Sequence, residues 1–328
     1  MKLATLKDGS RDGQLVVVSR DLSHAHYATG IANRLQQVLE DWGFFAPQLQ
    51  DLSDALNAGR THHAFPFDPQ QCMAPLPRAY QCLQGVAPTS EEGAARPGMP
   101  EMVQLAGDAL LGACADIAAA SLAMEIDFGA GLAVITGDIA TASTPAQALD
   151  GVRLVLLANT LSLRALEARE RAAGQGPLLS RPATAFSPVA VTLDEIGAAW
   201  DAGRVALALQ VGLNGRKFGL CDGAAGMPFG FGDLIAHAAR TRPVRAGSLV
   251  CSGPLATAAA LGAQGRAESA RGFSNIAAKR RAEVQDSGQA STDYLQPGDL
   301  LRMEMKGLSG ASLCGAIEQA VAEPLALP

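Results

Sequence analysis

From residue 124 onward the chain is a succession of apolar segments punctuated by glycine, proline and asparagine: IDFGAGLAVIT, GVRLVLLANT, AFSPVAVTL, RVALALQVGLNGRKFG, SLVCSG and DLLRMEM. Runs of this length and bounding read as strands. Only two short helical segments, TPAQALDG and FGDLIAHAARTR, intervene, so the reading is a β-rich α+β domain. Asn214-Gly215 supplies the positive φ of a type I′ turn and predicts a hairpin.

The preceding part is less regular. QLVVVS predicts a strand, and IANRLQQVLEDW predicts one amphipathic helix, because Ile31, Leu35, Val38, Leu39 and Trp42 recur at helical spacing. The Pro-rich stretch at about residues 65 to 80 reads as a linker, which divides the chain into a small α/β domain, 1–75, and a main domain, 76–328. GVAPTSEEGAARPGMPE suits an exposed loop, and the Ala-rich VQLAGDALLGACADIAAASLA reads as helical.

A length of 328 residues can bury a sizeable core. The net charge of -6 gives no electrostatic reason to expect nucleic acid or an anionic membrane, so a small-molecule ligand is the simpler expectation. Six cysteines are scattered without a CxxC pair and read as reduced thiols. With charges flanking the first short apolar run and no long apolar span, the expected location is the cytoplasm. No lysine lies between Lys7 and Lys217 and no histidine between His63 and His237, so chemistry housed in between must do without both. His24, His26, His62 and His63 lack the spacing of a ligand pair on a helix, and His237 reads as structural.

Gly129 and Gly131 interrupt the strand IDFGAGLAVIT, where glycine weakens pairing and leaves a gap on one face. A dinucleotide-binding loop does not explain them, because residue 134 is valine rather than glycine and the chain continues as a strand where a helix must begin. A nucleophile elbow and a P-loop are both absent.

Taken in order, IDFGAGLAVITGDI, GVRLVLLANTLSLR, PLLSRPATAFSPVAVT, LNGRKFG, MPFGFGDLIAHAARTRPVRAGSLVCSG and LQPGDLLRMEM resemble the successive core segments of the fumarylacetoacetate hydrolase family, over roughly Leu15 to Gln319. The resemblance implies a mixed β-roll of that family's C-terminal type behind a small N-terminal domain, and a homodimer. It also implies Mg²⁺- or Ca²⁺-assisted cleavage of a carbon–carbon bond in β-diketo acids, or decarboxylation, hydration or tautomerisation of related oxo-acids.

Measured against the family pattern, the site has changed while the scaffold has not. The two glutamates of the metal-binding E-x-E pair fall at Gly129 and Gly131, and the aspartate of N-D-x-S-x-R falls at Thr160, with Asn159, Ser162 and Arg164 kept. The family lysine that stabilises developing negative charge falls at Arg181, whose guanidinium keeps the charge but cannot be deprotonated. The threonine of the family's G-T motif falls at Pro254, beside Ser252, and the lid segment PTSEEGAARPG holds no histidine.

These departures imply an enzyme with a remade, metal-free pocket and no cofactor. It would act on a β-dicarbonyl or polyketide-like compound of secondary metabolism by C–C cleavage, cyclisation or tautomerisation. Arg181, Asp127 and Glu125 are its candidate catalytic residues, with Glu91 or Glu92 from the loop. Gly129, Gly131, Thr160, Arg164, Ser252 and Pro254 would contact substrate. An inactive binding or partner subunit is the alternative, and a residual metal-dependent oxo-acid hydrolase the third reading. For that last reading, Glu125 and Asp127 form an E-x-D pair sharing the face of the two glycines, but displaced about 13 Å along the strand.

Overall fold

The computed structural model describes residues 1–86, 99–118, 121–256 and 271–324. Three strands, β1 (Lys2–Leu6), β2 (Gln14–Val18) and β3 (His24–Tyr27), precede helices α1 (Leu35–Glu40) and α2 (Trp42–Asn57). Next come β4 (Phe65–Pro66), β5 (Cys82–Gly85), β6 (Met102–Leu105), β7 (Ile126–Asp127), β8 (Ala130–Thr136) and α3 (Pro145–Asp150). These are followed by β9 (Val152–Thr160), β10 (Ser162–Leu163), α4 (Arg164–Ala172), β11 (Thr184–Phe186), β12 (Val189–Val191) and α5 (Leu193–Ile196). A small hairpin, β13 (Trp200–Asp201) with β14 (Arg204–Val205), leads to β15 (Ala208–Leu213), β16 (Arg216–Asp222), α6 (Phe231–Ala238) and β17 (Leu249–Cys251). The described chain closes with β18 (Arg271–Gly272), α7 (Ile276–Ser287), β19 (Leu300–Met305) and β20 (Ile317–Ala320).

The main sheet has eleven strands in the order β4-β3-β2-β1-β12-β9-β8-β17-β5-β6, with β11 also paired to β9. Its pairings are antiparallel except β17 on β5. A second sheet runs β18-β16-β15-β19-β20. Side chains alternate between the two faces of the main sheet. Leu132, Val134, Val155 and Leu157 pack with Leu209, Val211, Met303 and Met305 of the second sheet, whereas Ala133, Ile135, Leu154 and Leu156 pack with Leu35, Val38 and Leu49 of α1 and α2. Because both faces are covered, all seven residues of β8 are buried, which explains its nearly unbroken apolar run. The molecule is thus the mixed α+β roll expected. The Asn214-Gly215 turn joins β15 to β16 with φ of 52° and 72°, as a type I′ turn requires.

Two expectations are corrected. The single helix over 31–42 is two: α1 buries Leu35, Val38 and Leu39, and α2 then continues past Trp42 to Asn57. Pro47 sits inside α2, where its missing N–H removes one bond near the helix start without ending it. The Pro-rich segment read as a linker is packed down: Cys72, Ala74 and Leu76 are buried and the Met73 N–H donates to the Thr5 carbonyl at 2.9 Å. The Ala-rich run is not helical within its described residues. It forms β6 and then an irregular path that buries Leu110, Ala113 and Ile117. Close packing overrides alanine's helical preference there: a Cβ at Gly107 or Gly112 would lie 2.7 Å from the carbonyl oxygens of Ala79 and Cys72 respectively.

Candidate functional site

The segment carrying the two glycines is not one strand. β7 ends at Asp127 and pairs with β10, while β8 begins at Ala130 and pairs with β9 and β17. Glu125 lies outside both, in a left-handed conformation (φ 57°) closing a short 3-10 turn. The expected Glu125/Asp127 pair on one strand face is therefore not formed, since alternation along a strand does not extend to Glu125.

Gly129, Gly131, Thr160, Ser252 and Pro254 do lie together, but as a close-packed junction. A Cβ at Gly129 would stand 2.5 Å from the Thr160 hydroxyl, 2.7 Å from its carbonyl oxygen and 2.9 Å from Pro254. At Gly131 it would collide with the Gly253 carbonyl and sit 2.8 Å from the Ser252 hydroxyl. The chain after β17 closes this face by continuing the ladder: Ser252 N–H donates to Leu132 O at 2.8 Å and Leu255 N–H to Ala130 O at 3.0 Å. The Ser252 hydroxyl accepts from Leu132 N–H and donates to Gly253 O. Asn159 accepts from Gly129 N–H at 3.0 Å and donates to Gln319 at 2.9 Å. The polar groups here are bonded to one another.

A divalent cation does not fit these residues. Two of the three positions have no side chain, and the third offers a hydroxyl 3.4 Å from the Gly129 carbonyl. Among the described residues, no three His, Cys, Asp or Glu side chains gather as a cation would need.

A second group lies around Asp127, which is fully buried. Its carboxylate accepts from Arg164 Nε at 2.9 Å, pairs with Arg164 Nη2 at 2.8 Å, and accepts the Ile276 and Ala277 N–H groups at 2.7 and 3.1 Å. Asp127 thus satisfies the exposed donors that begin α7, where the helix dipole also favours a negative charge. Arg164 reaches Glu167 with Nη1 at 2.8 Å, and Glu167 in turn holds Arg181 Nη2 at 2.6 Å. Burial opposes the charge on Glu167, yet Arg164 and Arg181 hold its carboxyl below the usual range. Burial likewise opposes the charge on Arg164, and Asp127 and Glu167 outweigh it.

Arg181 differs. Burial pushes its guanidinium below the ordinary arginine value; Glu167 and, to a smaller extent, Asp127 oppose that shift, while the neighbouring Arg164 adds to it. It donates Nη1 to the Ser162 hydroxyl and Nη2 to Glu167, and its Nε is buried without a partner. Two of five donors are used in these bonds. Arg181 also lines a cleft of about 710 Å³ with Tyr80, Gln104, Asp108, Pro177, Leu178 and the β5–β6 hairpin. Gly129 and Gly131 do not line that cleft.

The candidate residues therefore separate: the glycine junction in one place, and Asp127, Arg164 and Arg181 in another. Glu91 and Glu92 lie outside the described residues. Glu167 was missed, although its position three residues after Arg164 on a charged helix is a legible ion-pair spacing. Tyr80, Asp108 and Leu178 come from three separate segments and carry no sequence signal.

Two family models match the chain. Residues 1–78 match the model of the fumarylacetoacetase N-terminal domain 2, and residues 79–321 match that of the fumarylacetoacetate hydrolase C-terminal domain. No curated protein matches. Among solved structures, a probable 2-hydroxyhepta-2,4-diene-1,7-dioate isomerase from Mycobacterium abscessus is 15% identical, covers 98% of both chains and gives a TM-score of 0.68. A maleylpyruvate hydrolase from Sphingobium sp. SYK-6, in complex with manganese(II) and pyruvate, is 14% identical, covering 99% of this chain and 100% of its own at 0.66. Fumarylacetoacetate hydrolase from Exiguobacterium antarcticum is 17% identical, covering 98% and 99% at 0.62. At these identities the likeness is one of fold. No helix among the described residues is long and apolar enough to cross a membrane.

Proposed function

The chain belongs to the fumarylacetoacetate hydrolase family, a family of hydrolases and isomerases, and from that premise we propose that it acts on a β-dicarbonyl or related oxo-acid without a metal ion, at the cleft that Arg181 lines. One observation carries the metal-free part: a side chain at residue 131 has no room beside Gly253, so the face that would present paired carboxylates is occupied by backbone. In the cleft, Arg181 would hold a substrate carboxylate or enolate oxygen, with Ser162 and Glu167 fixing its guanidinium. Tyr80 and Asp108 are lining groups able to exchange a proton at the carbon between two carbonyls. A buried cation beside a developing enolate lowers the barrier to tautomerisation or C–C cleavage through charge stabilisation.

The test is turnover of a panel of β-dicarbonyl acids, followed by loss of enol absorbance with and without chelator. The expected result is activity indifferent to chelator and abolished by Arg181→Ala. Stoichiometric Mg²⁺, Ca²⁺ or Mn²⁺ that a chelator removes together with activity would overturn the reading.

A second reading is a binding or partner subunit without turnover. It is favoured by Asp127 and Glu167, whose carboxylates are committed to arginines and to a helix start, so neither is free to act as a base. Binding of the panel without conversion, together with co-purification of another chain, would select it.

A further inference from the structure

Two structural relatives are named for a dioate and a maleylpyruvate, whereas the Arg181 cleft of this chain has a lining of a different balance. Among the described residues lining it, Arg181 is the only cation, and Asp108 adds a negative charge to the rim. The rest of the wall carries no charge: the amides of Gln81 and Gln104 stand among Tyr80, Met102, Val103, Pro177 and Leu178. Leu178 is 77% exposed, and Tyr80 is 70% exposed with its hydroxyl donating to Glu40 at 3.3 Å, so a leucine side chain and the face of a phenol ring stand in water on a cleft that the buried Arg181 also lines.

Leu178 is also held in place. The Glu170 carboxylate accepts the N–H groups of Leu178, Leu179 and Ser180 at 3.0, 2.6 and 3.3 Å, and the Ser180 hydroxyl at 2.5 Å. Four bonds to one carboxylate set the course of this wall before any ligand arrives, which lowers the ordering cost of binding.

Resting on the reading of this cleft as the ligand site, we propose that it takes a monoanionic carboxylic acid with an apolar tail, and discriminates against dicarboxylates. The carboxylate meets the under-used donors of Arg181, and the tail covers Leu178 and Tyr80. Among the described residues, a second carboxylate at the tail end finds no cation and meets Asp108, the uncharged amides of Gln81 and Gln104 and apolar surface, where a desolvated charge is unfavourable. A cleft of about 710 Å³ accommodates such a molecule.

Calorimetric titration of the full chain with butanoate, hexanoate, octanoate and octanedioate tests this. Affinity should rise roughly fourfold per added methylene, and octanedioate should bind at least tenfold more weakly than octanoate. Leu178→Asp should abolish the chain-length dependence, and Arg181→Met should weaken every monoacid by a similar factor. Octanedioate binding as tightly as octanoate, and still lost in Arg181→Met, would overturn the monoanion proposal and leave the cleft as the ligand site. Monoacid binding unchanged by Arg181→Met, or no binding of any acid, would overturn the cleft reading itself.

Discussion

Two neighbouring regions of this protein, the glycine junction and the charged group around Arg181, are packed in opposite ways. At the glycine junction backbone closes in: Thr160, Ser252, Gly253 and Pro254 lie where side chains at 129 and 131 would need room. Around Arg181 the charges persist and remain unevenly satisfied, with Arg164 doubly paired by carboxylates and Arg181 left with a buried, unpartnered Nε. Glycine in a buried segment therefore does not by itself create a cavity. What fills the space is decided by whether a neighbouring chain can hydrogen-bond into it, as the segment after β17 does with β8.

The largest expected effect probes the charged region. Asp127→Ala leaves the partly buried Arg164 with Glu167 alone and strips the start of α7 of its acceptor, so stability measured by urea unfolding should fall by about 3–5 kcal/mol. A loss below about 1 kcal/mol would show that Asp127 is not structural and reopen a catalytic role. Next is the sealed face. Gly131→Ala should cost about 1–3 kcal/mol through overpacking, whereas Gly212→Ala, whose Cβ would meet nothing closer than 3.5 Å, should stay within about 0.5 kcal/mol. Equal costs would mean the junction is not closed.

Arg181→Met should be milder, about 1–2 kcal/mol, because Glu167 keeps Arg164 and Arg171 as partners. A cost as large as that of Asp127→Ala would place Arg181 in the structural clamp rather than beside it. The smallest effect lies away from both regions and serves as a reference for ordinary surface electrostatics. Bonds from Thr292 and Ser291 hold Glu283 down to about 2, from an ordinary value of 4.5. Its folded value is the lower one, so the stability it contributes is present above about pH 4.5 and is lost as pH falls towards 2. Glu283→Gln should flatten that part of the acid unfolding curve, and an unchanged curve would show the bonds to be absent in solution.

Much of this was readable in the sequence where periodicity and turn chemistry act locally. β8, β9, β19, the Asn214-Gly215 hairpin, α3 and α6 follow directly from alternation, apolar runs and caps. α2 was hidden by Gly43 and Pro47, which punctuate local patterns although tertiary packing of Leu49 and Leu56 sustains the helix. The Ala-rich segment was misread for the converse reason, since its glycines serve contacts with residues some thirty to forty positions earlier. At the candidate site, the identities of Gly129, Gly131 and Thr160 could be read, but not the approach of Gly253, because a backbone carbonyl filling space leaves no trace in residue type. The cleft was wholly illegible, being assembled from segments around residues 80, 104 and 178.

The pairing of β1 between β2 and β12 bears on how the chain assembles. Lys2 lies opposite Val191, so the second edge of the first strand is not covered until nearly three-fifths of the chain has been made. Until then β1 presents an open row of backbone donors and acceptors, a template for pairing with another chain. Such long-range closure is slow to find its partner. An isolated segment of residues 1–78 would keep that edge permanently bare, and self-association during synthesis or after truncation is the hazard this topology carries.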